Sequence, residues 1–307
     1  MITTTGRPIA GILQLVLSTW VLSGLDASGK WIMGLGVSLL VLSAVRYIVH
    51  CLLVLAFVLP ARGPGILRSH RPGRQVLRAT FMLGSTLSMF TALHHLPQAQ
   101  ATSINFLAPL LVLALAPWLL GEPARLSRWV AAIAGFIGVL IVIRPGAGLD
   151  LTGTLFGLLT ATLITGQYIS NRLLAQDDPL TTLLWSGAVG SLVLLVGLPF
   201  ALPDALPALA ALGPTGWAIL LGTGVWGALG HWLQIRAYHN ASASVLSPFL
   251  YLQIISATAL GWLIWGQFPD QFTWLGIAII AFSGLTISYV EWRQRGRRPL
   301  VRVPSQV

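Results

Sequence analysis

The chain runs as long apolar blocks broken by short gaps rich in proline, arginine and glycine. A helix crossing the ~30 Å hydrocarbon layer of a bilayer needs roughly 20 apolar residues. On that measure the pattern predicts ten spanning helices, at about 8–27, 34–60, 75–95, 98–120, 127–144, 151–174, 180–200, 213–238, 243–266 and 271–291. Pro60, Pro64, Pro72, Pro97, Pro145, Pro179, Pro203 and Pro269 fall at or between the proposed ends, where a broken backbone is tolerated. The stretch 201–214, ALPDALPALAALGP, reads as the longest later connection, lying along the interface.

Composition sharpens this picture. The 307 residues are 55% hydrophobic and 8% charged, where a soluble domain carries about a quarter charged residues. One soluble core could not hide that much apolar surface. A net charge of +10 would point to nucleic acid in a soluble protein, but here it reads as orientation by cationic loops. With a cytoplasmic N-terminus and ten alternating spans, Arg7, Arg62, Arg68, Arg71, Arg74, Arg78, Arg125, Arg128, Arg172, Arg236 and the tail arginines Arg293, Arg295, Arg297, Arg298 and Arg302 share the cytoplasmic side. Lys30 and Arg144 alone fall opposite, and Arg46 sits inside a span. Removing one helix from the count would scatter the later arginines over both sides. The expectation is a multi-pass inner (plasma) membrane protein with both termini cytoplasmic. Its first run is too long for a signal peptide and is retained as a span. Cys51 is the single cysteine, so no internal disulfide forms.

A shift of 145 residues lays TALHHLPQAQATSINFLAPLL on RAYHNASASVLSPFLYLQIIS without a gap, matching Ala92 to Ala237, His94 to His239, Gly121 to Gly266 and Trp129 to Trp274. The chain therefore divides into five-span halves, 1–146 and 147–291, followed by a basic cytoplasmic tail, 292–307. Five is odd, so the second half is inverted relative to the first. Inverted repeats belong to transporters, because exchanging the conformations of two similar halves turns an inward-open site outward. The adjacent His94 and His95 fall in the turn between spans three and four. Their repeat mate His239 falls at the opposite face, so they do not share a metal with it.

The segments LDASGKWIMG with AVRYIVH, LHHLPQAQATSINFLAPLLVLALAPWLLGE and RWVAAIAGFIGVLIVIRP resemble the drug/metabolite transporter superfamily in its EamA-type ten-helix branch, over nearly the whole chain. Gln267 departs from the pattern, standing where the first half has Glu122. The arginine-rich first-half loop and the many aromatics are similar to the YddG-like amino-acid exporters of that branch. The resemblance implies an all-α basket of ten helices around a central cavity, exporting amino acids or other small metabolites.

The residues bound the mechanism further. No P-loop, HExxH, CxxC or GxSxG is present, so neither ATP-driven transport nor a cofactor or metal is expected. Every Asp and Glu, Asp26 included, reads as lying near a span end or in a loop. Proton-coupled carriers use intramembrane carboxylates, so the pattern favours facilitated diffusion by alternating access, with proton-coupled drug/metabolite efflux as the alternative. Trp20, Ser85, Ser88, Met89, Asn105, Gln167, Tyr168, Trp226, His231, Tyr251 and Gln253 lie near mid-depth as substrate-binding candidates. They would make an uncharged polar and aromatic cavity suited to neutral or aromatic amino acids. The other reading of small polar residues is helix–helix hydrogen bonding. Arg46, costly at mid-span, reads first as structural, paired with Asp26 or helix-end carbonyls and supported by Tyr47, and second as a clamp for a substrate carboxylate. Asp26 and Lys30, four apart, read as an outer-edge ion pair or gate, and Trp185 as structural or gating. The basic clusters HRPGRQVLR and RQRGRRPLVR read as contacts to anionic lipid headgroups rather than nucleic acid. An integral-membrane lipid-modifying enzyme would need acidic partners for its histidines, which the pattern lacks. A scramblase would show no saturable uptake of soluble substrates. The pattern leaves the oligomeric state open.

Overall fold

The computed structural model describes residues 8–119, 126–144, 150–174, 177–240, 246 and 249–296. Arg7, Glu122, Arg125, the first residues of the ninth predicted span and the tail beyond Gly296 lie outside the described residues. The chain is an all-α polytopic membrane protein. Its helices are α1 Pro8–Gly34, α2 Leu39–Arg62, α3 Pro72–His95, α4 Gln98–Asn105, α5 Leu107–Leu119, α6 Leu126–Ile143, α7 Leu151–Leu173, α8 Pro179–Ala211, α9 Gly213–Asn240, α10 Gln253–Trp265 and α11 Gln271–Gly296, with a 3-10 turn at Pro64–Leu67. Four of them, α1, α2, α3 and α8, are long and apolar enough to cross a membrane on their own composition.

Local chemistry sets the helix ends. The Ser38 hydroxyl accepts from the Val41 amide at the start of α2, and Gly63, at φ 76°, stops it. Asp150 caps α7 through the Gly153 amide at 2.7 Å, and Asp178 caps α8 through the Leu180 amide at 2.8 Å. Pro72 and Pro179 open α3 and α8, where a missing N–H costs nothing.

Three elements depart from the expected spans. The first helix continues to Gly34 and carries Asp26 and Lys30 within it rather than at its outer edge. The fourth span divides at Phe106 into α4 and α5. Pro109 explains the break, since it has no N–H for the Asn105 carbonyl four residues earlier and its ring crowds that oxygen. The stretch 201–214 is not an open connection: α8 is a 33-residue helix, Pro179–Ala211, that includes Pro199, Pro203 and Pro207. Spaced by four, these prolines fall on one face, and the alanines and leucines between them are strong helix formers. The buried Ala205 and Leu209 join the main core, and Ala208 meets the α1–α2 turn at Gly36, whose φ of 86° suits glycine.

Among the packings between the two halves of the chain, five pair each span with a different partner. Helix α1 lies along α9, α3 along α7, α2 along α8, α4 against α10, and α6 along α11. Counted as spans, with α4 and α5 as the fourth and α10 as the ninth, these pairs are first with eighth, third with sixth, second with seventh, fourth with ninth and fifth with tenth. Replacing each span by the one five places away returns the same set. Small residues allow the close approaches. A side chain on Gly276 would meet the backbone of Gly138, and one on Gly138 would meet that of Gly276. Hydroxyls stitch α1 to its neighbours: Ser18 donates to the Gly230 carbonyl at 2.9 Å, and the Ser23 and Ser256 hydroxyls meet at 2.7 Å.

Polar ties close both ends of the bundle, and each joins segments that the alternation of ten spans places on the same side. At the arginine-rich end, Asp177 accepts from the Ser69 hydroxyl, the His70 amide at 3.0 Å and ring Nδ1 at 2.9 Å, and Gln75 at 2.8 Å. Burial alone would raise this carboxyl, but the donors from Ser69, Gln75 and His70 outweigh it and hold the group at about 2. At the other end, Arg144 pairs with Asp270 at 2.6 Å and His95 meets Asp150 at 3.3 Å. The Thr273 amide, first, and then the Arg144 pairing hold Asp270 below the usual carboxylate range.

Candidate functional site

A cavity of about 170 Å³ lies between α1, α2, α3, the α4–α5 break, α7, α9 and the start of α10. Of the predicted substrate-binding residues, Ser85, Met89, Asn105, Gln167, Tyr168, His231 and Gln253 line it. Trp20, Ser88, Trp226 and Tyr251 do not. Ser88 is buried in helix packing, and the two tryptophans are 43% and 40% exposed on the outer surface of α1 and α9. Helical geometry accounts for the tryptophans. Trp226 is five residues before His231, about 140° around α9, and Trp20 is six before Asp26, about 120° away on α1. Tyr251 stands one layer back and packs on Phe106, with ring centroids 5.0 Å apart.

The charged lining is what the sequence placed wrongly. Asp26, expected at the outer edge in an ion pair with Lys30, faces the cavity from α1. It accepts no hydrogen bond and forms no ion pair among the described residues. Lys30 turns away to the Leu96 carbonyl at 2.6 Å and to Gln267 Oε1 at 3.3 Å, and stands 5.1 Å from the Trp265 ring centre. The departure of Gln267 from the repeat pattern thus has a local use. Arg46 also lines the cavity. It donates to Thr86 Oγ1 at 2.8 Å and lies over the rings of Tyr47 and Phe90 at 5.4 and 5.5 Å. Thr86 passes its own proton to the Met82 carbonyl at 2.9 Å, so the Tyr47 hydroxyl at 3.1 Å donates to it. The expected support from Tyr47 is present; a direct bond from Arg46 to Asp26 is not. Trp185 stands outside the cavity and ties α8 to the Leu67 carbonyl at 3.1 Å.

Three further features describe the cavity wall. Asn105 spends one amide hydrogen on the Met89 sulfur at 3.7 Å, while its Oδ1 has no partner. The Thr102 hydroxyl on the same wall is also unpartnered. Buried polar atoms are nearly always satisfied, so these two stand out on the cavity wall as unsatisfied groups. Second, the break at Phe106 recurs 145 residues later, where the turn at Tyr251–Leu252 precedes α10. The repeat-related Phe106 and Tyr251 are the rings that stack, so both interrupted spans meet at the cavity floor. Third, Gly227 of α9 faces Arg46 and His50 of α2, and an added carbon there would lie in ordinary contact with the Arg46 Nε, at 3.5 Å. Sequence reasoning missed Thr86, Thr102, Phe106 and Gln234 of this lining. Pro109 and the Phe106–Tyr251 equivalence were the signals that could have found the break.

The family model described as the EamA-like transporter family matches residues 9–144 and again 151–289. A riboflavin transporter of Vibrio cholerae is 29% identical, over 82% of this chain and 84% of its own. A riboflavin transporter of Rhizobium johnstonii is 29% identical over 95% of each chain. An S-adenosylmethionine uptake transporter of Rickettsia bellii is 28% identical, over 82% of this chain and 84% of its own. A crystal structure of another protein, 18% identical, superimposes with a TM-score of 0.61, over 93% of this chain and 97% of that one, and speaks for the fold alone.

Proposed function

The chain belongs to the EamA-like transporter family, and from that premise we propose a secondary carrier for metabolites bearing an α-amino-acid head group, working by alternating access. The carrying observation is the pair of opposite charges on one cavity wall, Asp26 and Arg46. A zwitterion offers an ammonium to the first and a carboxylate to the second. The neutral amides of Asn105, Gln167, Gln234 and Gln253, with the ring of Phe106, then receive a polar or aromatic side chain. Neutral and aromatic amino acids fit this layout, and so does S-adenosylmethionine, which ends in an amino-acid head and is what the Rickettsia relative is named for. Riboflavin lacks that head, so the charge pair of this chain speaks for an amino-acid-headed substrate over riboflavin. The crosswise packing and the paired breaks at Phe106 and Tyr251 support two inverted halves, 1–146 and 147–291, moving about a shared floor. We read the membrane as the inner membrane, with the arginine-rich face cytoplasmic.

The uniport reading rested on spans free of carboxylates, and Asp26 inside α1 removes that ground. A second reading, proton coupling, is supported by Asp26 forming no hydrogen bond or ion pair among the described residues. Uptake of labelled tryptophan, S-adenosylmethionine and riboflavin into proteoliposomes, with and without a pH gradient, tests both. Saturable uptake of the amino-acid-headed compounds supports the proposal, and uptake of riboflavin alone refutes it. Acceleration by the gradient favours proton coupling, and indifference to it favours uniport.

A further inference from the structure

A second space, about 1170 Å³, lies apart from the central cavity. It is a groove between the second half of α2, the start of α8 and the second half of α9. Its deep end is apolar, with Val54 of α2, Leu183 of α8 and Val225 of α9, and its arginine-rich end carries Arg62 and Arg236. From Leu53 to Arg62 is nine residues of helix, about 13 Å, and from Val225 to Arg236 is eleven, about 16 Å. Half of a ~30 Å hydrocarbon layer is about 15 Å, so the groove spans one leaflet. Its mouth is open to the surroundings, as the 73% exposure of Phe57 shows.

The charges at its end are unequal in availability. Asp177 and Asp178 line the same end and keep their charge, but Asp177 is turned to the donors of Ser69, His70 and Gln75, and Asp178 to the first turn of α8, rather than to either arginine. Arg62 and Arg236 pair with no carboxylate among the described residues, and Arg236 lies over the Trp232 ring at 5.2 Å. Two free guanidiniums at headgroup depth, above an apolar slot one leaflet deep, match the shape and charge of one class of ligand. We propose that this groove binds one anionic glycerophospholipid of the arginine-rich leaflet, with its phosphate between Arg62 and Arg236 and an acyl chain along Val54, Leu183 and Val225. Guanidinium is the group suited to phosphate oxygens, and the tryptophan under Arg236 holds it in place. This is a single built site, beyond the diffuse attraction that basic loops exert on a charged surface.

The test is native mass spectrometry of the full chain in detergent, titrated with phosphatidylglycerol or phosphatidylcholine. One phosphatidylglycerol is expected to remain bound per chain, in preference to phosphatidylcholine. The double variant Arg62→Gln/Arg236→Gln should weaken it roughly tenfold or more. Val225→Trp, which fills the deep end and keeps both charges, should also displace it. Arg68→Gln/Arg71→Gln, on the neighbouring exposed loop, should leave it unchanged. The variants are first shown monodisperse by size exclusion, and Val225→Trp decides if the arginine variant does not fold. Equal retention of phosphatidylcholine, undiminished binding in the groove variants, or an equal loss in the loop variant would overturn the site.

Discussion

The first half of the chain brings Asp26, Arg46, Thr86, Asn105 and Phe106 to the cavity; the second brings Thr160, Gln167, Tyr168, His231, Gln234 and Gln253. The helices of the two halves pack in a pattern that survives their exchange, yet both fully charged groups come from the first. A scaffold of related halves can thus keep its symmetry for motion and give it up for chemistry. In the function proposed above, charge on one wall would fix the head of a ligand, while amides and hydroxyls on the other would accept a range of tails. This division also predicts that substitutions in the two walls differ in kind.

The largest effect is expected at Arg46. Arg46→Ala strips Thr86 and Tyr47 of a buried partner, at about 1–3 kcal/mol of stability, and removes the cationic half of the head-group site. Proteoliposome uptake should fall below a tenth of wild type and the melting temperature in detergent should drop, with Arg46→Lys recovering stability more than uptake. Asp26→Asn should lower uptake of amino-acid-headed compounds by roughly tenfold to a hundredfold, the size of one hydrogen bond to a charged group, and leave melting nearly unchanged. Equal losses for charged-head and headless compounds would break the comparison.

A smaller effect in uptake, but a clear one in stability, is expected for Gly276→Leu. Its side chain meets the Gly138 backbone, and overpacking costs about 1–3 kcal/mol, visible as a lower melting temperature. On the neutral wall, Gln167→Ala should weaken binding about fivefold, the worth of one neutral hydrogen bond, with a different factor for each tail. The smallest effect on uptake belongs to Asp177, whose role is in stability. Its folded value, about 2, lies below its ordinary 3.8. Its stabilisation is therefore full above about pH 4 and lost as pH falls toward 2. Asp177→Asn should flatten that acid limb of a melting-temperature profile.

Much of the fold was legible because a bilayer demands it. Block length gave the spans, and the arginines gave their alternation. The end ties Asp177 to His70 and Arg144 to Asp270 join segments that the alternation places on the same side. What escaped were features that apolar length does not encode. The helix carrying Asp26 continues past it because Ala27, Ser28 and Lys30 are no barrier to a helix, and a carboxylate is tolerated where it faces a cavity. The proline-rich stretch of α8 stayed helical because its prolines share a face. Within the site, neutral polar residues were easier to place than tryptophans: Ser85, Asn105, Gln167 and Gln253 avoid lipid and turn inward, whereas Trp20 and Trp226 are content at the lipid surface. Tyr251 packs on Phe106 and so stands one layer behind the cavity wall.

The central claim is that the substrate sits in the cavity between Asp26, Arg46 and Asn105. Cys51 is the only cysteine, so Cys51→Ser gives a background in which Ser85→Cys places a single thiol on the cavity wall. The rate of maleimide labelling of that thiol, measured with and without a saturating compound that the protein transports, reads occupancy directly. The account predicts strong protection at Ser85→Cys and none at a Trp226→Cys control on the outer surface. Labelling at Ser85→Cys that is indifferent to a transported compound would contradict it.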